Sequence, residues 1–187
     1  MNTSDKFNTV ARRDALKLLV GLAAMTGSTS TAAQPLDQSP GKPGEFDFLT
    51  GEWRIHNRML DKGQWIEFPG EATVRGILQG IASIEELRIP ARNFSGMGLR
   101  LLDVEKKVWS DFWVNAKSGV LTSPGQTGTF VNGVGTFTTE EDDNGTRVIY
   151  RGVWDQITPR SCRWFQGSSR DGGKTWVDTW FMDWKRA

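Results

Sequence analysis

The 187-residue chain has one cysteine, one histidine and one tyrosine. Each scarcity removes a class of explanation. A lone Cys162 cannot form an internal disulfide, and a single thiol in an oxidising compartment is safest as a small buried core residue. One histidine, with no cysteine pair and no acidic cluster at ligand spacing, is too little for a metal site. Any imidazole chemistry must therefore use His56. No apolar run after the first residues approaches the ~20 needed for a spanning helix, so no membrane anchor is expected. There is no phosphate loop, no dinucleotide fingerprint and no recognisable Ser-His-Asp or Cys-His arrangement, and no cofactor is expected.

The front of the chain has its own character. Ala11-Arg12-Arg13-Asp14-Ala15-Leu16-Lys17 precedes a short apolar run, Leu18 to Met25, and then small residues, Ser28 to Ala33. An arginine pair, a brief apolar stretch and a small-residue cleavage site form a twin-arginine export signal. Residues 1–33 are read as that signal, with cleavage after Ala33. The export machinery is then a partner, and the periplasm is the destination of an already folded protein. The segment holds Lys6, Arg12, Arg13 and Lys17 against Asp5 and Asp14, which leaves 19 of the 23 basic and 20 of the 22 acidic residues. A mature net charge near −1 argues against nucleic acid as a partner.

What the chain has in excess is aromatic: nine tryptophans and ten phenylalanines. All nine tryptophans (53, 65, 109, 113, 154, 164, 176, 180, 184) lie beyond residue 33. One small core does not need so many large side chains, each with an N–H that wants a partner. They point to an interior that is wide, partly polar or open to an aromatic ligand.

Residues 34–44, with three prolines and two glycines, read as a flexible leader. From residue 45 to 187 the pattern is strand after strand. Turn signals such as Asn132-Gly133 and Asn144-Gly145 recur every ~8–15 residues, separated by Val-, Ile-, Thr-, Phe- and Trp-rich runs of period two. About ten strands and no convincing helix are expected. An all-β, antiparallel up-and-down barrel buries such a meander without leaving sticky edges. A sandwich is the alternative.

Two motifs carry more detail. Gly51-Glu52-Trp53 at the start of the first strand is the opening of lipocalin-like barrels, whose Trp closes the barrel floor against a basic side chain near the chain end. Lys185 or Arg186 is the expected partner. Ser169-Arg170-Asp171-Gly172-Gly173-Lys174-Thr175-Trp176 matches the Asp-box of sialidases and other propellers. One box does not make a propeller, so the motif is read as a hairpin lock.

Together these pieces reach a family. Phe46-Asp47-Phe48-Leu49-Thr50-Gly51-Glu52-Trp53 resembles the opening of a bacterial family of unknown function with a lipocalin-like (calycin) barrel. The tail, Val153 to Ser161 followed by Arg163-Trp164 and Ser169 to Trp176, is similar to that family's tail. The resemblance implies a barrel with an internal cavity, and neither an established activity nor catalytic residues. Related haem-binding barrels use a histidine near the chain end, and this chain has none there.

The candidate residues follow from alternation. If Trp53 points inward, so does Asn57, and His56 points outward unless a bulge near the mouth reverses it. One of Glu85 and Glu86 must face inward, and Glu86 is taken as the candidate acid or base. Asp111 lies between Trp109 and Trp113, and Asp178 between Trp176 and Trp180, each on an expected tryptophan face. Arg100, Arg151 and Arg163 are candidates to neutralise such groups inside. Trp113, Trp154, Trp164, Trp180 and Asn57 are the expected ligand-binding wall. Two functions are left open. One is binding of a small apolar or aromatic molecule in a Trp-lined cavity. The other is a cofactor-free lyase, isomerase or hydratase transferring protons through His56, Glu86, Asp111 or Asp178, with Arg100 stabilising the developing anion.

Overall fold

The computed structural model describes residues 39–187. The export signal falls outside the described residues, as does the first part of the leader. The rest of the leader is tied down. The Gly41 amide donates to the Lys107 carbonyl at 2.7 Å, and the Gly44 amide donates to the Gly80 carbonyl at 2.9 Å. The expectation of a loose leader therefore does not extend to these residues, because their backbone groups find partners on the barrel end.

Ten antiparallel strands follow. They are β1 (Gly51–Asp61), β2 (Gln64–Ile77), β3 (Ala82–Ile89), β4 (Phe94–Asp103), β5 (Val108–Asn115), β6 (Gln126–Val131), β7 (Val134–Asp143), β8 (Thr146–Asp155), β9 (Ser161–Ser169) and β10 (Val177–Arg186). Each pairs with its sequence neighbours, and β10 closes on β1, with Trp53 opposite Arg186 and Met59 opposite Trp180. The ring is closed, which excludes the sandwich. Among the described residues the only helical pieces are three short 3-10 turns, over Asp47–Leu49, Leu78–Gly80 and Pro90–Arg92.

Local chemistry explains the meander. Asn132-Gly133 and Asn144-Gly145 place both central residues at positive φ (52° and 79°, 54° and 81°), the geometry that matches strand twist in a two-residue hairpin. The Asp-box lock holds the β9–β10 hairpin. Asp171 accepts hydrogen bonds from the Thr175 and Lys174 amides (2.9 and 3.0 Å) and from the Thr175 hydroxyl (2.7 Å). The Thr175 amide, the Thr175 hydroxyl and then Ser169 hold the Asp171 carboxyl well below the usual carboxylate range.

The core lies inside the ring. Along β1, Trp53, Ile55 and Asn57 are buried, while Glu52, Arg54, His56 and Arg58 are exposed. Seven of the nine tryptophans are buried, and all seven face inward by register. Trp65 and Trp176 are the two on the outside.

One end of the ring is plugged from within. The turn Asp47–Leu49 carries Phe46, Phe48 and Leu49 into the barrel. Phe46 meets Trp109 edge-on at 4.9 Å between centroids and Phe130 at 5.1 Å. Trp53 donates its indole N–H to the Leu49 carbonyl at 2.6 Å, and the Arg186 guanidinium lies 4.0 Å over its ring. Arg186 also donates to the Phe48 carbonyl at 2.7 Å and to the Thr50 carbonyl. The expected floor tryptophan and its basic partner are both present, and Arg186 is that partner.

Candidate functional site in the barrel interior

Inward-facing side chains fall into three levels. Lowest is the plug with Trp53, Trp109, Trp154 and Trp184. Above it sits a buried charge cluster. Arg100 on β4 is fully buried and donates from Nη2 to Glu85 Oε2 on β3, while its Nε lies 3.7 Å from Asp111 Oδ1 on β5. Its guanidinium carbon sits 5.3 Å from the centroid of the Phe46 ring and 5.2 Å from that of Trp154. Burial works against the Arg100 charge, but Glu85 and Asp111 outweigh it and hold the guanidinium above its ordinary value. Gly98 makes the pair fit. A Cβ there would stand 3.1 Å from Arg100 Nη2 and 3.3 Å from Glu85 Oε2.

The upper level is aromatic with amide groups set into it. Phe94 and Trp113 stack at 6.0 Å with only 10° between their planes, Phe94 meets Trp180 at 6.4 Å, and Trp164 meets Trp180 at 6.1 Å. The Trp180 indole donates to Asn57 Oδ1 at 3.0 Å. Gln166 on β9 is buried directly opposite Trp180. At this, the open end, the inward positions Met59, Ile66 and Phe94 are only half-buried.

The wall is thinnest beside Asp111. Strands β5 and β6 share only three register pairs, ending at Asp111 opposite Gln126. Beyond them the segment 116–125 folds back, with the Thr122 amide donating to the Trp113 carbonyl at 2.8 Å.

Several candidates lie elsewhere. His56 is on the outer wall, 56% exposed, with Nε2 3.4 Å from Glu67 Oε2, as unbroken alternation from Trp53 requires. Cavity acid/base chemistry through His56 is removed. Glu86 also faces out, where it accepts from Arg88 at 2.7 Å. Glu85 is the inward member, because Leu87 and Ile89 set the parity of β3. Asp178 is displaced by a bulge. The β10–β9 register shifts between Asp178 and Trp180, so Trp180 faces in and Asp178 faces out. There Asp178 accepts from Arg151 at 2.9 Å, and Arg151 lies 4.1 Å over Trp176. Arg163 is likewise outside, paired with Asp155 at 2.9 and 2.6 Å. Asp111, Arg100, Asn57, Trp113, Trp154, Trp164 and Trp180 all face inward. Sequence reading missed Glu85, Gln166 and the plug. Alternation from Cys162 through Trp164 reaches Gln166, so its signal was present.

Several buried donors find no partner. They are Asn57 Nδ2, Gln166 Nε2, the indole N–H groups of Trp154 and Trp184, and Nε and Nη1 of Arg100. Buried polar atoms normally have partners, so a cluster of orphans inside one barrel calls for a reason.

Fold and interior together define a closed ten-stranded antiparallel barrel with a tryptophan-rich core, plugged at one end. Two solved structures are similar in shape. A protein of unknown function from the DUF3598 family of Nostoc punctiforme aligns over 83% of this chain at 12% identity and a TM-score of 0.49. Rv2717c from M. tuberculosis aligns over 81% at 12% identity and a TM-score of 0.47. The chain spans 53% of the length of the first protein and 99% of the second. No protein-family model and no curated protein matches the sequence.

Proposed function

We propose that this barrel is an exported, periplasmic binding protein that takes a small apolar or aromatic molecule in through its open end. The observation that carries this reading is the upper level: Phe94, which is partly accessible, with Trp113, Trp164 and Trp180 walled around the buried amides of Asn57 and Gln166. Aromatic walls with a few polar anchors are what small-molecule sites are made of. The sequence at residues 1–33 supports export by the twin-arginine route. The opening and tail motifs support membership of the lipocalin-like family they resemble.

The test is tryptophan fluorescence of the purified protein against a panel of small aromatic and lipid-like compounds, with mass spectrometry of each mixture. Saturable quenching by a compound that stays intact is the expected result. No saturable ligand across the panel defeats the reading.

A second reading rests on the buried cluster. Asp111 and Glu85 on either side of Arg100 place two carboxylates and a cation inside the barrel, the parts a proton-transfer lyase or isomerase needs. Turnover of a panel compound, abolished in Asp111→Asn, favours it over simple binding.

A further inference from the structure

The kind of molecule the interior accepts is written in its unpartnered atoms. Two of them belong to residues that neighbour Trp180, one by hydrogen bond and one by register. Asn57 Oδ1 is occupied by the Trp180 N–H, which can only donate, so the amide orientation is fixed and Nδ2 must be the free end. Gln166 lies directly across from Trp180 on the next strand, and its Nε2 is also buried without a partner. Both residues are at least 97% buried, and both face inward. Deeper in the barrel the orphans on Trp154, Trp184 and Arg100 are donors too, and the Ser83 hydroxyl can donate as well as accept. A site lined by unmet donors takes an acceptor.

Charge then narrows the class. Among the described residues three cations reach the interior, and each is already engaged: Arg186 at the plug with Trp53 and the Phe48 carbonyl, Arg92 at the rim over Phe68 and 3.9 Å from Asp61, and Arg100 between Glu85 and Asp111, a cluster with a formal charge of −1. A ligand carboxylate would lose its water and meet no free counter-ion. A ligand ammonium would meet N–H groups pointing at it. A neutral carbonyl, quinone or ether oxygen on a planar ring satisfies the donors at no such cost.

We propose that the upper level binds an uncharged aromatic molecule with a carbonyl-type acceptor, its oxygen held between Asn57 Nδ2 and Gln166 Nε2 beside Trp180. This rests on the reading of the interior as a binding site. The chemistry is that of an aromatic ketone or quinone.

The experiment uses the full-length chain and four probes with one ring system: 1-acetylnaphthalene, naphthalene, 1-naphthoate and 1-naphthylmethylammonium. Affinities are measured by tryptophan quenching and calorimetry. The ketone is expected to bind on the order of tenfold tighter than naphthalene, as two modest hydrogen bonds allow. Both ions are expected to bind more weakly than naphthalene. In Asn57→Leu and Gln166→Leu the ketone's advantage shrinks toward unity while naphthalene binding persists. If naphthalene binds as well as the ketone, or naphthoate binds best, the acceptor assignment is overturned and the binding site survives. If none of the four binds, the site itself fails. The probe series on the unaltered protein decides the matter even where a variant does not fold.

Discussion

The two ends of this barrel are made by the same alternating strands and are finished in opposite ways. At the plugged end every inward side chain has a neighbour: Trp53 is held by the Leu49 carbonyl and Arg186, and Phe46 by Trp109 and Phe130. At the open end Met59, Ile66 and Phe94 are half-buried, and the amides of Asn57 and Gln166 lack partners. The lesson is a division of labour. Stability is concentrated where the chain start folds into its own barrel, and the two unpartnered amides sit at the other end, although the indoles of Trp154 and Trp184 near the plug also lack partners. The charge cluster of Arg100, Glu85 and Asp111 lies between.

Substitutions sharpen or break that contrast. The largest effect is expected at the plug. Trp53→Ala removes a fully buried indole, its hydrogen bond and the Arg186 contact, and should cost about 3–5 kcal/mol in urea unfolding. Arg100→Met comes next. It strands two inward carboxylates without their cation and should cost about 3–5 kcal/mol, with part of the loss recovered in Arg100→Met/Glu85→Gln. Equal stability of wild type and Arg100→Met would show that the cluster is not buried as described.

Phe94→Ala reverses the pattern. Its ring is partly exposed, so unfolding should shift by less than about 2 kcal/mol, while aromatic ligand affinity falls on the order of tenfold. A large stability loss with unchanged affinity would merge the two ends into one core.

Cys162 gives a pH signature of the interior. Burial pushes its thiol up to about 12, against an ordinary value of 9.0. Across that window the folded chain keeps a proton that the unfolded chain has lost. Its contribution to stability therefore falls as pH rises, by at most about 1.4 kcal/mol per pH unit. Cys162→Ala should flatten that part of the profile, and iodoacetamide should label wild type only on unfolding.

The smallest effect is expected at His56. His56→Ala should change stability by less than about 0.5 kcal/mol and leave ligand affinity as it was between pH 5 and 8. A pH-dependent affinity lost in that variant would return the histidine to the site.

Fold and site were legible to different depths. The strands, the turns, the floor tryptophan and its basic partner follow from patterns that local chemistry enforces, and each is where the sequence places it. Face assignments depend on parity, and parity is fragile. Glu85-Glu86 says that one carboxylate enters the barrel, but only the packing of Leu87 and Ile89 decides which. Asp178 sits two residues before Trp180, yet one extra residue in the bulge turns it outward. Arg100 was legible as a candidate, but its enclosure between Phe46 and Trp154 was not, because the plug comes from a segment more than fifty residues earlier in the chain.

Ring closure has a consequence for how the molecule is made. Nine of the ten seams join strands adjacent in sequence, and each can zip as a local hairpin. The tenth joins β1 to β10 and brings Asn57 to Trp180 across 123 positions. Non-local pairing is slow, because chain entropy is surrendered before contacts repay it. A nascent chain leaving the ribosome therefore carries β1 as a bare edge until β10 has emerged. During that interval it is open to pairing with the wrong molecule.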